Sequence, residues 1–159
     1  MIVLGLDPGI DRLGWAFLKD SEEGIALLHY GLITTEKTKD SVFRLGEIAS
    51  DLNQLIVTHS PDCMCIEHIF FSKNVKTAMT IAEVRGVLKV IASQHLLEVR
   101  EIHPMQLKKK LVGSGKASKK EMQLVMKNLF GLVNDFKTDD VADAIAIGYV
   151  GLLEAIGQL

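Results

Sequence analysis

Apolar and polar positions change period several times along the chain, and the changes divide it into elements. Ile2-Val3-Leu4-Gly5-Leu6 is a continuous apolar run that stops on Asp7, with Pro8 and Gly9 following. Such a run reads as a buried strand, and Pro-Gly ends it because proline gives no N–H to a sheet ladder and glycine takes turn conformations. Gly14 to Leu18 reads as a second strand and Ile25 to Thr34 as a third, separated by the polar Asp20-Ser21-Glu22-Glu23-Gly24. Three strands joined by short turns predict an antiparallel meander. From Ser41, read as an N-cap, Val42, Leu45, Ile48, Ala49, Leu52, Leu55 and Ile56 recur at helical spacing. After Ser60-Pro61-Asp62 the apolar Cys63-Met64-Cys65-Ile66 ends on Glu67, a second strand that delivers a carboxylate to a sheet end.

From about Asn74 to His95 the apolar residues, among them Val75, Met79, Val84, Leu88 and Ile91, fall on more than one side of a helix. A stripe that wide predicts burial on two sides, one against the sheet and the other against a further helix or a second subunit. Leu97 to Ile102 reads as a fifth strand, and His103-Pro104 opens a short helix that Gly113-Ser114-Gly115 breaks. Ser118-Lys119-Lys120-Glu121 is a capping box for the next helix, and the last helix runs from about Thr138 to the C-terminus. This order predicts one α/β domain over residues 1–159, with a mixed five-stranded sheet of three meander strands and two parallel ones, flanked by helices.

Composition narrows the class. The 159 residues, 48% of them hydrophobic, suffice for a packed core. A net charge of -2 and a pI near 6.2 give no global attraction to a polyanion, so any nucleic-acid contact must come from local charge. Cys63 and Cys65, two apart in an apolar strand, read as small core residues and form neither a disulfide framework nor a zinc site. No secretory leader pattern precedes the first strand, and the apolar stretch Ala144 to Leu153 is too short to span a bilayer. A soluble protein in a reducing, cytoplasmic compartment, with no membrane partner, is expected.

Asp7 and Glu67 end two apolar strands. If those strands are neighbours, the carboxylates repel at close range, and a hard divalent cation such as magnesium would keep both charged. Thr138, read as an N-cap, leads into Asp139-Asp140-Val141-Ala142-Asp143. Acids in a first helical turn are favoured by the helix dipole, which accounts for Asp139 and Asp140. Asp143 enters a helix that continues Ala144-Ile145-Ala146-Ile147, and an acid on an apolar packing face needs a partner. By spacing either Asp139 or Asp140 shares a helical face with Asp143. Carboxylates converging from two strand ends and one helix can hold two ions about 3.5–4 Å apart, a geometry suited to phosphodiester hydrolysis. His29, His59, His68, His95 and His103 show no metal-ligand spacing, and of these only His68, beside Glu67, is a candidate for the site.

Lys108, Lys109, Lys110, Lys116, Lys119 and Lys120 surround Gly113-Ser114-Gly115, a flexible basic loop suited to a phosphate backbone; Lys73 and Lys76 would extend it. Phe70 and Phe71, between Glu67 and these lysines, are placed either to stack on unpaired bases or to plug the core.

Taken together and in this order, several motifs resemble the RuvC family of Holliday junction resolvases over nearly the whole chain. They are Leu4-Gly5-Leu6-Asp7-Pro8-Gly9 with Gly14, Ile66-Glu67-His68-Ile69-Phe70-Phe71 with Lys73-Asn74-Val75, Arg85-Gly86-Val87, Val112-Gly113-Ser114-Gly115-Lys116-Ala117 and Asp140-Val141-Ala142-Asp143-Ala144. The resemblance implies a ribonuclease H-like fold and a homodimer that nicks four-way DNA junctions symmetrically with magnesium or manganese, two ions per site, leaving 5′-phosphate ends. By position it implies Asp7, Glu67, Asp140 and Asp143 as catalytic metal ligands, choosing Asp140 over Asp139. It also implies Phe70 as the junction-stacking aromatic and Lys116 with Lys119 or Lys120 as DNA contacts. The helix from Asn74 would form the dimer contact, and a branch-migration motor would be a working partner. The chain departs from the pattern at Ile10-Asp11-Arg12-Leu13, where Asp11 adds negative charge, and at His68, so substrate preference is where it should differ. Two alternatives remain: a junction-binding protein without catalysis, and an actin-like ATPase or kinase fragment, whose Asp-Pro-Gly turn is similar but which needs a second lobe.

Overall fold

The computed structural model describes residues 1–68, 75–132 and 138–158, and its backbone follows the pattern of the sequence closely. The apolar runs become β1 (Ile2–Asp7), β2 (Arg12–Ser21), β3 (Gly24–Thr34), β4 (Cys63–Glu67) and β5 (Glu98–Ile102). They form a single sheet in the order β3-β2-β1-β4-β5. β1, β2 and β3 pair antiparallel, whereas β4 runs parallel to β1 and β5 parallel to β4. Parallel neighbours need crossovers, and α1 (Ser41–His59) and α2 (Val75–Gln94) supply them. As a result β1, β4 and β5 all point their C-terminal ends, and therefore Asp7 and Glu67, to one edge of the sheet.

α3 (Pro104–Val112), α4 (Lys119–Phe130) and α5 (Asp139–Ala155) complete the chain. Two cores lie on opposite faces of the sheet. One joins Leu4, Leu6, Phe17, Met64 and Ile66 to Ile48 and Leu52 of α1 and Val84 and Leu88 of α2. The other joins Val3, Ala16, Leu18, Cys63 and Cys65 to Ala144, Ile145 and Ile147 of α5. Both cysteines are buried free thiols in that second core, as their alternation within an apolar strand predicts.

α5 comes near the sheet, and glycines on both sides of the contact allow it, Gly148 and Gly151 on the helix and Gly5 and Gly14 on the strands. A Cβ on Gly5 would collide with the Ala144 carbonyl oxygen, and one on Gly14 with the Asp140 carbonyl oxygen. Gly14 is the register partner of Asp7, so this close approach brings the start of α5 beside the end of β1.

Some boundaries differ from those read in the sequence. β2 and β3 extend to Ser21 and Gly24 because hairpin pairing carries the polar Lys19 and Asp20 into the ladder. The N-cap of α1 is Asp40 rather than Ser41, and it acts through its main-chain carbonyl. Thr138 does cap α5 by position, but its side chain makes no capping hydrogen bond. The capping box of Ser118 and Glu121 on α4 is present in full. Among the described residues no helix is long and apolar enough to cross a membrane.

Candidate active site

A cavity of about 260 Å³ opens at the C-terminal edge of the sheet, lined by Asp7, Glu67 and Asp143 together with Lys108, Lys119, Pro104, Leu107, Met122 and Ile147. Each acid is there for a local reason. Asp7 ends β1 at a Pro-Gly turn, Glu67 ends β4, and Asp143 projects from α5 where Gly14 lets the helix approach. Asp140, one turn earlier, is half-buried at the margin of this group.

The carboxylates crowd one another. Burial, followed by the charges of Asp143, Glu67 and Asp140, pushes the Asp7 carboxyl from 3.8 up to about 7, against the opposing pull of Lys119. Burial and Asp143 likewise raise Glu67, while Lys119, Arg85 and Lys108 act in the other direction. Two of the acids borrow cations from the chain itself. Lys119 Nζ donates to Asp143 Oδ2 at 2.8 Å, and this contact, more than any other, raises the Lys119 ammonium. Arg12 Nε lies 3.0 Å from Asp140 Oδ2 but out of line for a hydrogen bond, so that buried oxygen is left without a hydrogen-bond donor.

Among the described residues no three Asp, Glu, His or Cys side chains are already arranged as a metal cage. The donor set nonetheless fits a hard divalent ion: carboxylate oxygens only, an excess of negative charge, and one buried oxygen still unsatisfied. In the chain alone Lys119 and Arg12 supply part of the positive charge that such an ion would bring.

The remaining candidates divide. Asp139 turns to α4, where Gln123 Nε2 donates to its Oδ1 at 2.8 Å, and it stays out of the cavity. Lys109, Lys116 and Lys120 are exposed on α3, the glycine loop and α4, while Lys110 is drawn to Glu154 at 2.5 Å. Phe70, Phe71 and Lys73 lie outside the described residues, as does the side chain of Lys76. Asp11 faces away from the acids: its carboxylate pairs with Arg44 and with Lys37 at 3.0 Å. His68 binds Glu101 at 2.8 Å and stacks on His103.

Three side chains near the acids, Lys108, Arg12 and Arg85, were named in the sequence only as part of a lysine run or a motif, with no role beside the acids. Lys108 is one of three consecutive lysines, and only the phase of α3, set by Pro104 and the buried Leu107, decides which of them reaches the cavity. Arg12 and Arg85 meet their partners across large sequence separations that carry no local signal.

Residues 3–150 match the model of the family described as crossover junction endodeoxyribonuclease RuvC. The crossover junction endodeoxyribonuclease RuvC of Alkaliphilus oremlandii is 40% identical over 147 residues, covering 92% of this chain and 90% of that protein. Thermus thermophilus RuvC in complex with Holliday junction substrate superposes with a TM-score of 0.91 at 28% identity, over 99% of this chain and 96% of that one. The yeast mitochondrial Holliday junction resolvase, at 19% identity and a TM-score of 0.64 over 92% of this chain and 75% of that one, shares the fold.

Proposed function

The chain belongs to the RuvC family of crossover junction endodeoxyribonucleases, and from that premise we propose how its own residues carry out the reaction. The protein is a nuclease that resolves four-way DNA junctions, built on a ribonuclease H-like fold. The observation that carries the site assignment is the crowding of Asp7, Glu67 and Asp143 in one cleft, with Asp140 at its margin, which leaves Asp7 short of positive charge.

In this reading Asp7, Glu67, Asp140 and Asp143 hold magnesium or manganese, two ions per site. Bound there, such ions would supply Lewis acidity, activating a water and offsetting the charge that develops on the departing 3′-oxygen. The chain's own groups do the rest. Asp7, buried and crowded by the other three acids, would be the ligand that gains most from a cation. Lys119 and Lys108 line the same cavity and face the phosphate that enters it, and Lys119 is freed for that contact when Asp143 turns to a cation. Lys109, Lys116 and Lys120 extend positive charge outward along the DNA backbone together with Lys73 and Lys76, and Phe70 and Phe71 stack on unpaired bases. The acid set favours this over a junction binder without catalysis, because a pure binder gains nothing from negative charge facing DNA.

The same reading takes residues 1–159 as one nuclease domain acting in the cytoplasm as a homodimer, with a branch-migration motor as partner. The dimer face is the outer side of α2, where Val75, Met79 and Val90 are more than half exposed in the single chain. The test is a labelled four-way junction incubated with magnesium, with a chelator, and with Asp7→Asn. Cleavage should require the metal and vanish in the variant while junction binding persists. Undiminished cleavage by Asp7→Asn would overturn the assignment.

A further inference from the structure

Arg85 belongs to a motif that the metal-site reading leaves unused. It lies on α2 and is 7% exposed, so its guanidinium needs partners to offset lost hydration. The partners sit on two different strands. Nη1 donates to the main-chain carbonyl of Glu67, the last residue of β4, and Nη2 lies 2.9 Å from Glu101 Oε1 on β5. The register places Glu101 beside Ile66, and thus one step from Glu67. Glu101 is itself gripped by Lys89 Nζ at 2.7 Å and by His68 Nδ1 at 2.8 Å, and the His68 main-chain N–H donates to Ile102 at 2.9 Å. The backbone on both sides of the Glu67 peptide is therefore tied down, by a guanidinium on one side and by β5 on the other.

We infer that Arg85, backed by Glu101, is a positioning residue for Glu67, setting the direction in which β4 presents that carboxylate to the cleft. The inference rests on reading Glu67 as a metal ligand. At a strand end the side chain follows the peptide plane, so turning the Glu67 carbonyl swings the carboxylate relative to Asp7 and Asp143. Arginine suits the task because its planar fork reaches a carbonyl and a carboxylate at once, whereas a lysine is a single point of charge. A merely structural Arg85 would pin α2 to the sheet and leave the affinity of the acids for a cation unchanged.

The test uses the full chain without DNA and follows Mn²⁺ binding by electron paramagnetic resonance, with circular dichroism as the folding control. Glu67→Gln serves as the reference that weakens Mn²⁺ binding. Arg85→Gln should weaken it by about 10–100-fold, the usual cost of losing a partner behind a ligand. Glu101→Gln, whose amide oxygen still accepts from Arg85, should show a smaller loss in the same direction, and Arg85→Lys should fail to restore the parent affinity. Junction binding in chelator should stay within about twofold of the parent in all three, because the contact acts through the metal site. Folded Arg85→Gln and Glu101→Gln proteins that bind Mn²⁺ like the parent, while Glu67→Gln does not, would overturn the inference. If Arg85→Gln does not fold, Glu101→Gln decides by the same measurement. If Glu67→Gln leaves Mn²⁺ binding intact, the metal-site reading fails first and the positioning role falls with it.

Discussion

Asp7 at the end of β1 and Glu101 near the end of β5 stand two strands apart on the same sheet edge, and their carboxyl groups are driven in opposite directions. Asp7 is pushed up to about 7 by burial and three neighbouring acids. Glu101 is held down to about 2, chiefly by its hydrogen bond to Lys89, with His68 and Arg85 adding to it. Glu101 is satisfied from within the chain, so its cluster is finished structure. Asp7 keeps an unmet demand for positive charge that only something from outside can supply. The contrast separates a carboxylate that holds the scaffold from one that the proposed function assigns to a cation, although both are acids at the ends of apolar strands.

The strongest way to break this comparison is to neutralise Asp7. Asp7→Asn removes the centre of the crowded charge, and cleavage of a four-way junction should fall by at least ~10³-fold. Binding of the same junction, followed by gel shift in chelator, should hold or tighten, because negative charge has left the DNA-facing surface. Cleavage near the parent rate would make Asp7 no different in kind from Glu101.

The second prediction moves the acids without changing their number. In Gly14→Ala the new methyl group meets the Asp140 main-chain carbonyl, so α5 must back away from β2. Overpacking of this sort costs about 1–3 kcal/mol, read by thermal melting, and an ångström-scale shift at a metal site costs about 10²-fold in cleavage. Gly46→Ala on α1, with open space around its Cβ, is the control and should leave cleavage unchanged.

Asp7 and Glu67 were legible because each closes a run of buried residues, and Asp143 because an acid in Ala144-Ile145-Ala146-Ile147 has no place on a packing face without a partner. The strand order was legible too, since three runs with short turns and two runs behind helices admit few pairings. What stayed hidden were contacts fixed by how the helices seat on the sheet. Nothing local to Arg85 says that α2 will aim it at the Glu67 carbonyl, 18 residues away in sequence. The Asp11 contacts are of the same kind. The unusual acid of the Ile10 to Leu13 turn is held by Arg44 and Lys37, and only the seating of α1 shows that these cations, rather than the acid cluster, take it up.

A smaller effect appears in the stability of the metal-free protein at rising pH. The Asp7 carboxyl is raised when folded, so the stability it contributes is present below about 4 and is lost as pH climbs through about 7. Glu67, raised as well, adds to the loss. The fall should be a few kcal/mol at most: the rise of Asp7 from 3.8 to about 7 is about three tenfold steps at about 1.4 kcal/mol each, or roughly 4 kcal/mol, which solvent screening of a partly exposed group reduces. Melting temperature measured from pH 4.5 to 8 in chelator should decline, and saturating magnesium should flatten the decline. Asp7→Asn should flatten it without metal, whereas an identical slope in parent and variant would remove Asp7 as its cause.

The smallest effect lies at the acid end and sharpens the comparison from the other side. The Glu101 carboxyl is depressed when folded, so its contribution is present above about 4.5 and is lost as pH falls toward 2. Glu101→Gln should therefore reduce the dependence of stability on pH below 4.5 and change the slope between 4.5 and 8 only slightly, by way of Arg85 and Glu67. Asp7→Asn should do the reverse. If the two substitutions act mainly on separate limbs, the two clusters are largely independent charge systems that share a sheet edge. If Glu101→Gln also changes the upper limb strongly, Arg85 is passing the loss on to Glu67 through its carbonyl, and the self-contained cluster and the ligand-seeking one are coupled through that one guanidinium.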